Sequence, residues 1–444
     1  RPFVSRLAKR CGIVGTVSNR GSYVEVIMAV PAKEEYFFLQ ALRDEAPPRS
    51  QIMGMETDYI DKTESLSGFS IIESTPEEGH IFVSPDIGTS TYHDAANILR
   101  VFRYAHRRYG AKVYLVDNLF DPSDRRYLHP FINCTACGPR LTVMKAMPYD
   151  RERTCMNNFP MCPSCEKEYT DPTSRRYDAQ PVCCNECGPQ VYVAGTEIYG
   201  HRAIRAAREA IRQGKIIAVK GIGGFHLCCD GTNEAVVSRL RHLKPRPVKP
   251  FAVMAADLET AKRECIVTRT GEELLTGYER PIVLMKRRIG GKAAASVSPD
   301  NPYIGVMLPY APLQLLLFSY NDGLHMPDLL VMTSANRSGM PICRTDEEVR
   351  TDLPGLCDLI LSHDRDILLR VDDSVVTLFE EEPYMIRRSR GYAPLPIYVN
   401  GDFHGTVLSA GGELKNTVCL AKDNLFYLSP HIGDVGCADG NGTT

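Results

Sequence analysis

The chain has 444 residues, enough for about three domains. Its 43% hydrophobic and 24% charged residues suit soluble globular protein, and a formal net charge of −2 gives bulk electrostatics no basis for binding polyanions. No apolar run reaches the roughly 18 residues of a membrane helix; the best one, 306–318, is cut by Pro309 and Pro312, and no hydrophobic signal region follows Arg1.

Sixteen cysteines raise the question of a disulfide framework. Six of them fall in Cys-x-x-Cys pairs and most others are scattered singly, a usage that favours metal ligation in a reducing cytoplasm. In chain order, 90–118 looks unlike its surroundings: Arg100 to Arg108 reads as a solvated helix and Lys112-Val-Tyr-Leu-Val116 as a strand. From 121 onward the chain repeats itself at a spacing of fifty residues. Asp121-Pro122 recurs as Asp171-Pro172, Arg125-Arg126-Tyr127 as Arg175-Arg176-Tyr177, and Cys134-Thr-Ala-Cys137-Gly-Pro as Cys184-Asn-Glu-Cys187-Gly-Pro.

The second copy also carries Cys162-Pro-Ser-Cys165, 18 residues ahead of Cys184. Two such hairpins at this distance can close a tetrahedral Zn²⁺ site from Cys162, Cys165, Cys184 and Cys187. Four thiolates leave no open coordination position, so the predicted role is structural. In the first copy Lys112 and Leu115 stand where cysteines would be, which leaves Cys134 and Cys137 without partners. His129, Cys155 and His93 are candidate substitute ligands; a pair of unliganded thiols is the alternative.

Beyond the cysteines the periodicity becomes that of an α/β domain. Ile204 to Arg212 has helical spacing and stops at Gly214; Lys215 to Lys220 reads as a buried strand entering the loop Gly221-Ile-Gly-Gly224. That loop lacks the Gly-Lys-Ser/Thr ending of a P-loop. Asn233 to Leu243 is helical, with Thr232 or Asn233 as N-cap. Further strands are predicted at Phe251–Met254, Ile282–Met285, Leu329–Thr333 and Leu359–Leu361, giving a core covered on at least one face.

Three clusters in this domain carry chemistry. Lys244-Pro-Arg246-Pro-Val-Lys249-Pro concentrates cations in a segment its prolines keep extended, which suits phosphate oxygens. Thr333-Ser-Ala-Asn336 follows an apolar strand, and ligands collect at strand carboxyl ends in open α/β sheets. Arg370-Val-Asp372-Asp373 and Arg387-Arg-Ser-Arg390 come last; the adjacent carboxylates could hold Mg²⁺ or pair with these arginines.

Together these clusters resemble the nucleotide-binding domain that makes carbamoyl or threonylcarbamoyl adenylates. Lys249-Pro-Phe-Ala-Val-Met254, Asn301-Pro-Tyr-Ile-Gly-Val-Met-Leu-Pro309, His363-Asp-Arg365 and Arg370-Val-Asp-Asp-Ser374 are similar to the hydrogenase-maturation carbamoyltransferase family. The cysteine repeat, with 24 residues between Cys137 and Cys162, matches the same family. Arg1-Pro-Phe-Val and Thr16-Val-Ser-Asn19 resemble an acylphosphatase domain in which Arg1 and Asn19 would be the catalytic pair. The family's glycine-rich loop would precede Arg1, so acyl-phosphate hydrolysis is expected to be impaired. Leu408-Ser-Ala-Gly-Gly-Glu413-Leu-Lys415 and Leu428-Ser-Pro-His431-Ile-Gly-Asp434 look like the opening strands of a Kae1-like transfer domain. Gln314 stands where the family has His, and Asp366 where it usually has Pro.

The resemblance implies an α/β multidomain protein: a partial α+β acylphosphatase-like domain (1–75), a duplicated zinc-finger module (76–195), a YrdC-like adenylation domain (198–396) and the start of a Kae1-like domain (400–444). It implies ATP with Mg²⁺, carbamoyl phosphate or carbamate as substrate, and a partner protein whose C-terminal cysteine accepts the carbamoyl group. Lys244, Arg246 and Lys249 would meet phosphate and carbamate charge, Ser334 and Asn336 the α-phosphate, and Arg388 and Arg390 would close over the triphosphate. Neither membrane nor nucleic acid is an expected partner, and the adenylation step is the one expected to be retained. Two other readings remain: a threonylcarbamoyl-adenylate synthase for tRNA modification, and a non-enzymatic zinc-dependent docking scaffold.

Overall fold

The computed structural model of the chain describes residues 2–20, 23–46, 52, 55–59, 67–72, 85–87, 119–135, 137–246, 248–337, 339–412 and 416–432. Arg1, the stretch 88–118 with His93, Lys112 and Leu115, and the motif residues 413–415 and Asp434 lie outside the described residues. The chain divides into two compact units, Arg1–Phe82 and Val83–Thr444.

In the first unit, helices α1 (Pro2–Arg10) and α2 (Ala32–Asp44) accompany a sheet of β1 (Val14–Arg20), β2 (Tyr23–Ala29) and β3 (Phe69–Ile71). β1 is central, antiparallel to β2 and parallel to β3. Leu7, Val17, Phe38, Leu42 and Phe69 form the small core. Asn19 sits in β1 opposite Val24.

In the second unit, the cysteine module runs from Leu119 as turns and short 3₁₀ segments to α3 (Pro163–Thr170), where Pro163 takes the first helical position it tolerates best. It then feeds directly into the large sheet through β4 (Val191–Val193) and β5 (Ile198–Tyr199). The remaining strands are β6 (Ile217–Lys220), β7 (Phe225–Asp230), β8 (Ala252–Ala255), β9 (Ile282–Lys286), β10 (Tyr303–Met307), β11 (Leu329–Ser334), β12 (Leu359–His363), β13 (Val375–Phe379) and β14 (Glu382–Arg387). Their order is β14-β13-β9-β10-β8-β11-β7-β6-β12-β4-β5. Only β10–β8, β12–β6 and β13–β9 pair in parallel, so the sheet is mixed. Its edge reaches back to Val191, ahead of the 195/198 boundary expected from sequence.

Alternate residues of β6 enter two different cores. Ile217 and Val219 join one with Ile204 and Ile211 of α4 (His201–Arg212), Leu316 of α8 (Pro312–Phe318), and Phe131 and Met156 of the cysteine module. Ile216 and Ala218 face the other core, with Val237 and Leu240 of α5 (Glu234–Leu243). Ala261 of α6 (Leu258–Glu264), Leu275 of α7 (Arg269–Thr276) and Val349 of α9 (Asp346–Asp352) complete this layer. The sheet is therefore covered on both faces, and its buried strands read as continuous apolar runs for that reason. Asn233 is the N-cap of α5, its side chain accepting from the Ala235 and Val236 amides; Gly214, at φ 71°, follows α4 in the left-handed region.

After the sheet, β15 (Ile397–Tyr398), β16 (Thr406–Ala410), β17 (Val418–Lys422) and β18 (Leu425–Leu428) form a separate four-stranded sheet in the order β15-β18-β17-β16. Among the described residues no helix is long and apolar enough to cross a membrane.

Candidate metal centre and nucleotide site

The sulfurs of Cys162, Cys165, Cys184 and Cys187 all lie within 4.8 Å of one another. Cys162–Cys184, Cys187–Cys165 and Cys184–Cys187 are 3.7, 3.6 and 3.8 Å apart. A tetrahedral zinc with Zn–S bonds of about 2.3 Å needs sulfurs about 3.8 Å apart, so these residues fit the ion. The local chain explains the arrangement. Cys162 is the N-cap of α3 and Cys165 lies in its first turn. Gly188 closes the second pair: its amide donates to the Cys184 carbonyl at 2.8 Å, and an added Cβ would come within 2.8 Å of that oxygen.

Each copy of the repeat braces the cysteines of the other. Arg125 Nη2 donates to Cys165 Sγ at 3.1 Å and Arg126 Nη2 to the same sulfur at 3.4 Å. In the reverse direction Arg175 Nη2 reaches Cys134 Sγ at 3.7 Å. Arg126 Nε donates to the carbonyl of Cys183 at 2.8 Å, and Arg176 Nε to that of Asn133 at 3.2 Å, again positions fifty apart. Even the left-handed turn recurs, at Leu128 (φ 54°) and Asp178 (φ 55°). Glu168 collects the surplus charge, pairing with Arg125, Arg126 and Arg176. Burial raises the Cys162 thiol, but the Cys165 amide and Arg125 outweigh it and bring it down to about 7.

The first copy holds two buried thiols, Cys134 and Cys137, 3.3 Å apart. Of the substitutes considered from sequence, the two described ones, His129 and Cys155, are occupied elsewhere. His129 faces Asn185 Oδ1 at 2.9 Å and Cys183 Sγ at 3.4 Å, and burial pushes its imidazole down to about 3, so it is neutral. Cys155 points to the Asp366 carbonyl at 3.4 Å. Among the described residues the second-copy set is the one cysteine, histidine or carboxylate group arranged for a metal ion.

In the sheet domain, two sequence clusters converge at the end of β11. Lys244, just past α5, directs Nζ to the Ser334 carbonyl and to Asn336 Oδ1, 2.9 Å away. Asn336 Oδ1 also accepts from Ser334 Oγ at 2.9 Å, while its Nδ2 donates to the Met340 carbonyl at 2.6 Å. Arg246 bonds Thr333 Oγ1 at 3.3 Å and lies with Arg241 over the Phe251 ring, at 5.2 and 4.4 Å. Burial, then the charge of Arg246, holds the Lys244 ammonium down to about 7. A cation so destabilised is poised to gain from an arriving polyanion.

Arg388 and Arg390 do not join this cluster in the structure. Arg388 donates to the carbonyls of Tyr392 and Leu395, at 2.9 and 2.5 Å. Arg390 is buried, donating to Asp373 Oδ1 at 2.6 Å and to the carbonyls of Glu279 and Arg280, with its guanidinium 3.4 Å from the Tyr310 ring centroid. Asp373 also accepts from His226 Nε2 at 2.9 Å, so of the two readings of the adjacent carboxylates, Asp373 follows the arginine-pairing one. Sequence reasoning missed His226, which lies in an unremarkable apolar strand; its partner is 147 residues away. Gln314 accepts from the Tyr310 and Ala311 amides at 2.9 and 3.0 Å, capping α8.

Family models match most of the length: acylphosphatase over 1–71, the HypF finger over 117–144 and 161–194, the Sua5/YciO/YrdC model (telomere recombination) over 209–389, and the HypF Kae1-like domain over 402–441. Carbamoyltransferase HypF2 of Cupriavidus necator is 40% identical over 454 residues, covering 99% of this chain and 54% of the relative. The chain belongs to the HypF carbamoyltransferase family. The crystal structure of full-length HypF in the phosphate- and nucleotide-bound form superposes with a TM-score of 0.85 at 38% identity, over 99% of this chain and 54% of that one. The chain thus spans about half the length of the HypF proteins it matches. Threonylcarbamoyl-AMP synthase of Vibrio vulnificus is 30% identical over 159 residues, 34% of this chain and 82% of that relative. That similarity covers about a third of the chain, whereas the HypF relatives cover nearly all of it.

Proposed function

We propose that the sheet domain joins carbamate to ATP, giving carbamoyl adenylate and pyrophosphate, within a carbamoyltransferase that serves [NiFe]-hydrogenase maturation. A carbamate oxygen attacks the α-phosphorus, the bond to the bridging oxygen of the β-phosphate breaks, and pyrophosphate leaves. The observation that carries this reading is the meeting of Lys244 with Ser334 and Asn336 at the end of β11. Lys244, Arg246 and Lys249 would neutralise phosphate and carbamate charge, with Ser334 and Asn336 orienting the α-phosphate; Mg²⁺ arriving with ATP would add positive charge there. Arg388 and Arg390 would contribute to the triphosphate only by leaving the contacts described above. Catalysis of this kind rests on positioning and charge stabilisation.

The zinc held by Cys162, Cys165, Cys184 and Cys187 would be structural. In the whole protein, Arg1 and Asn19 of the acylphosphatase-like unit would act on carbamoyl phosphate to release carbamate. A partner protein's terminal cysteine would receive the carbamoyl group, in the cytoplasm.

ATP–pyrophosphate exchange tests the reading. Exchange is expected with carbamate formed from bicarbonate and ammonia, and Lys244→Met is expected to lower it by about 100-fold. Dependence on threonine plus bicarbonate would move the chain to the threonylcarbamoyl class, and no exchange with any donor would favour a docking scaffold. The Lys244 ammonium gives a second readout. Its lowered pKa of about 7 leaves it mostly neutral at pH 8, and a bound polyphosphate would draw it back to the charged form. ATP binding is therefore expected to take up close to one proton at pH 8 and almost none at pH 6, measured by calorimetry in buffers of different ionisation enthalpy.

A further inference from the structure

A small cleft, partly open to solvent, lies where the cysteine module meets the sheet. Phe131 and Pro139 line it from the module; Lys220, Gly221, His363 and Arg365 line it from the ends of β6 and β12. Its lining contains two fixed cations, Lys220 and Arg365, and no carboxylate. Lys220 is engaged, donating to the His363 carbonyl at 2.8 Å.

Arg365 is different. It is only 5% exposed, yet among the described residues its guanidinium donates no hydrogen bond and makes no ion pair. Its one close partner is the face of Phe131, 4.9 Å from the ring centroid. Beside burial, the groups that act on it most are Cys155, Cys183, Asp86 and Tyr149, and its charge is also felt by Lys220, Asp364, His129 and His363. Burial raises both thiols and the phenol, which keeps them neutral, and it also raises Asp86, which lies outside ion-pair range. A guanidinium carries five donors in a fork shaped for planar oxyanions, and this one lines the solvent-open cleft instead of meeting a protein acceptor.

His363, 2% exposed, adds a second orphan. Its Nε2 lies 3.3 Å from the Gly221 carbonyl, so Nε2 carries the proton, and among the described residues Nδ1 is an acceptor with no hydrogen-bond partner. Between them, Asp364 turns away and accepts from the Gln190 amide at 2.7 Å. The two lining members of the triplet therefore present one unserved cationic fork and one unserved acceptor.

We propose that this cleft is a binding site for a small planar carboxylate that also carries an O–H or N–H donor, the class to which bicarbonate and carbamate belong. The carboxylate takes the Arg365 fork, and the donor serves His363 Nδ1. The site is separate from the Lys244–Asn336 cluster, and its existence does not depend on the adenylation reading.

Bicarbonate is the probe, titrated calorimetrically at constant ionic strength into the full chain carrying Lys244→Met, so that the other cationic cluster is silenced. Bicarbonate is expected to bind, acetate (which lacks the donor) to bind more weakly, and Arg365→Met to weaken bicarbonate by at least about tenfold. Removing an unpaired buried charge should leave the thermal midpoint unchanged or higher. Arg365→Lys keeps the charge without the fork and should give intermediate affinity. A lowered midpoint with unchanged affinity in Arg365→Met would assign the residue to clamping Phe131 and overturn the proposal. Absence of binding at millimolar bicarbonate would do the same, and so would tighter binding of inorganic phosphate, a tetrahedral anion.

Discussion

The two copies of the fifty-residue repeat share a framework and differ in what it holds. Both carry the same turn, the same arginine pair and the same Cys-x-x-Cys-Gly-Pro close, and each pair of arginines reaches across to the other copy. Yet the second copy gathers four sulfurs at zinc-like spacing, while the first shows two among the described residues. The comparison separates two sources of order. The framework rests on guanidinium-to-carbonyl bonds that need no metal, so the first copy keeps its fold beside an incomplete ligand set. The second copy adds four sulfurs, brought together from two hairpins, at a spacing that fits a zinc ion.

Breaking the four-sulfur site should have the largest effect. Structural zinc contributes an apparent ~10–16 kcal/mol in small modules. Cys165→Ser is thus expected to cost one equivalent of zinc by metal analysis, together with hydrogen-exchange protection across 163–188. Cys134→Ser should leave that equivalent in place. A second equivalent lost with Cys134→Ser would mean that the first copy also carries an ion, completed from outside the described residues.

The next contrast is in charge. Glu168 serves Arg125, Arg126 and Arg176, of which Arg126 is almost fully buried. Glu168→Gln should cost about 3 kcal/mol in urea unfolding, because it strands buried cations from both copies at once. Adding Arg176→Met should recover part of that loss; strict additivity of the two would show that Glu168 does not couple the copies.

The finest contrast lies at the equivalent positions Thr135 and Asn185. The Thr135 hydroxyl lies 2.9 and 2.7 Å from the Arg175 and Tyr177 carbonyls, and Asn185 Nδ2 donates to the Tyr127 carbonyl at 3.1 Å. Each alanine substitution should cost about 1 kcal/mol. Asn185→Ala should cost about 1 kcal/mol more, since it also strands Nδ1 of the buried His129. Equal losses would indicate that His129 finds another partner.

Much of this was legible along the chain. The helices at 201–212 and 234–243 and the strands β6, β8, β9, β11 and β12 lie within a few residues of where periodicity puts them. Apolar spacing and caps are local signals, and buried strands keep them. The clustering of Lys244 with Ser334 and Asn336 also followed from motif wording. Arg388 and Arg390 read as phosphate ligands because an arginine run advertises charge, not direction. In the fold Arg390 faces Asp373 and two carbonyls, contacts spanning up to 111 residues that no spacing reveals. β7 was missed because Phe225–Asp230 follows a glycine loop and carries a histidine among its apolar residues.

Local sequence therefore specified the repeat, the four-cysteine set, five strands of the large sheet with two of its helices, and the family, since each is written in residues a few positions apart or in recurring words. The crosswise bracing of the two copies, the burial of Arg390 and the unserved donors of Arg365 were settled in three dimensions. A side chain's partners depend on which distant backbone carbonyls and rings the packed sheet brings beside it, and at low dielectric those partners decide whether a charge is neutralised or left waiting for a ligand.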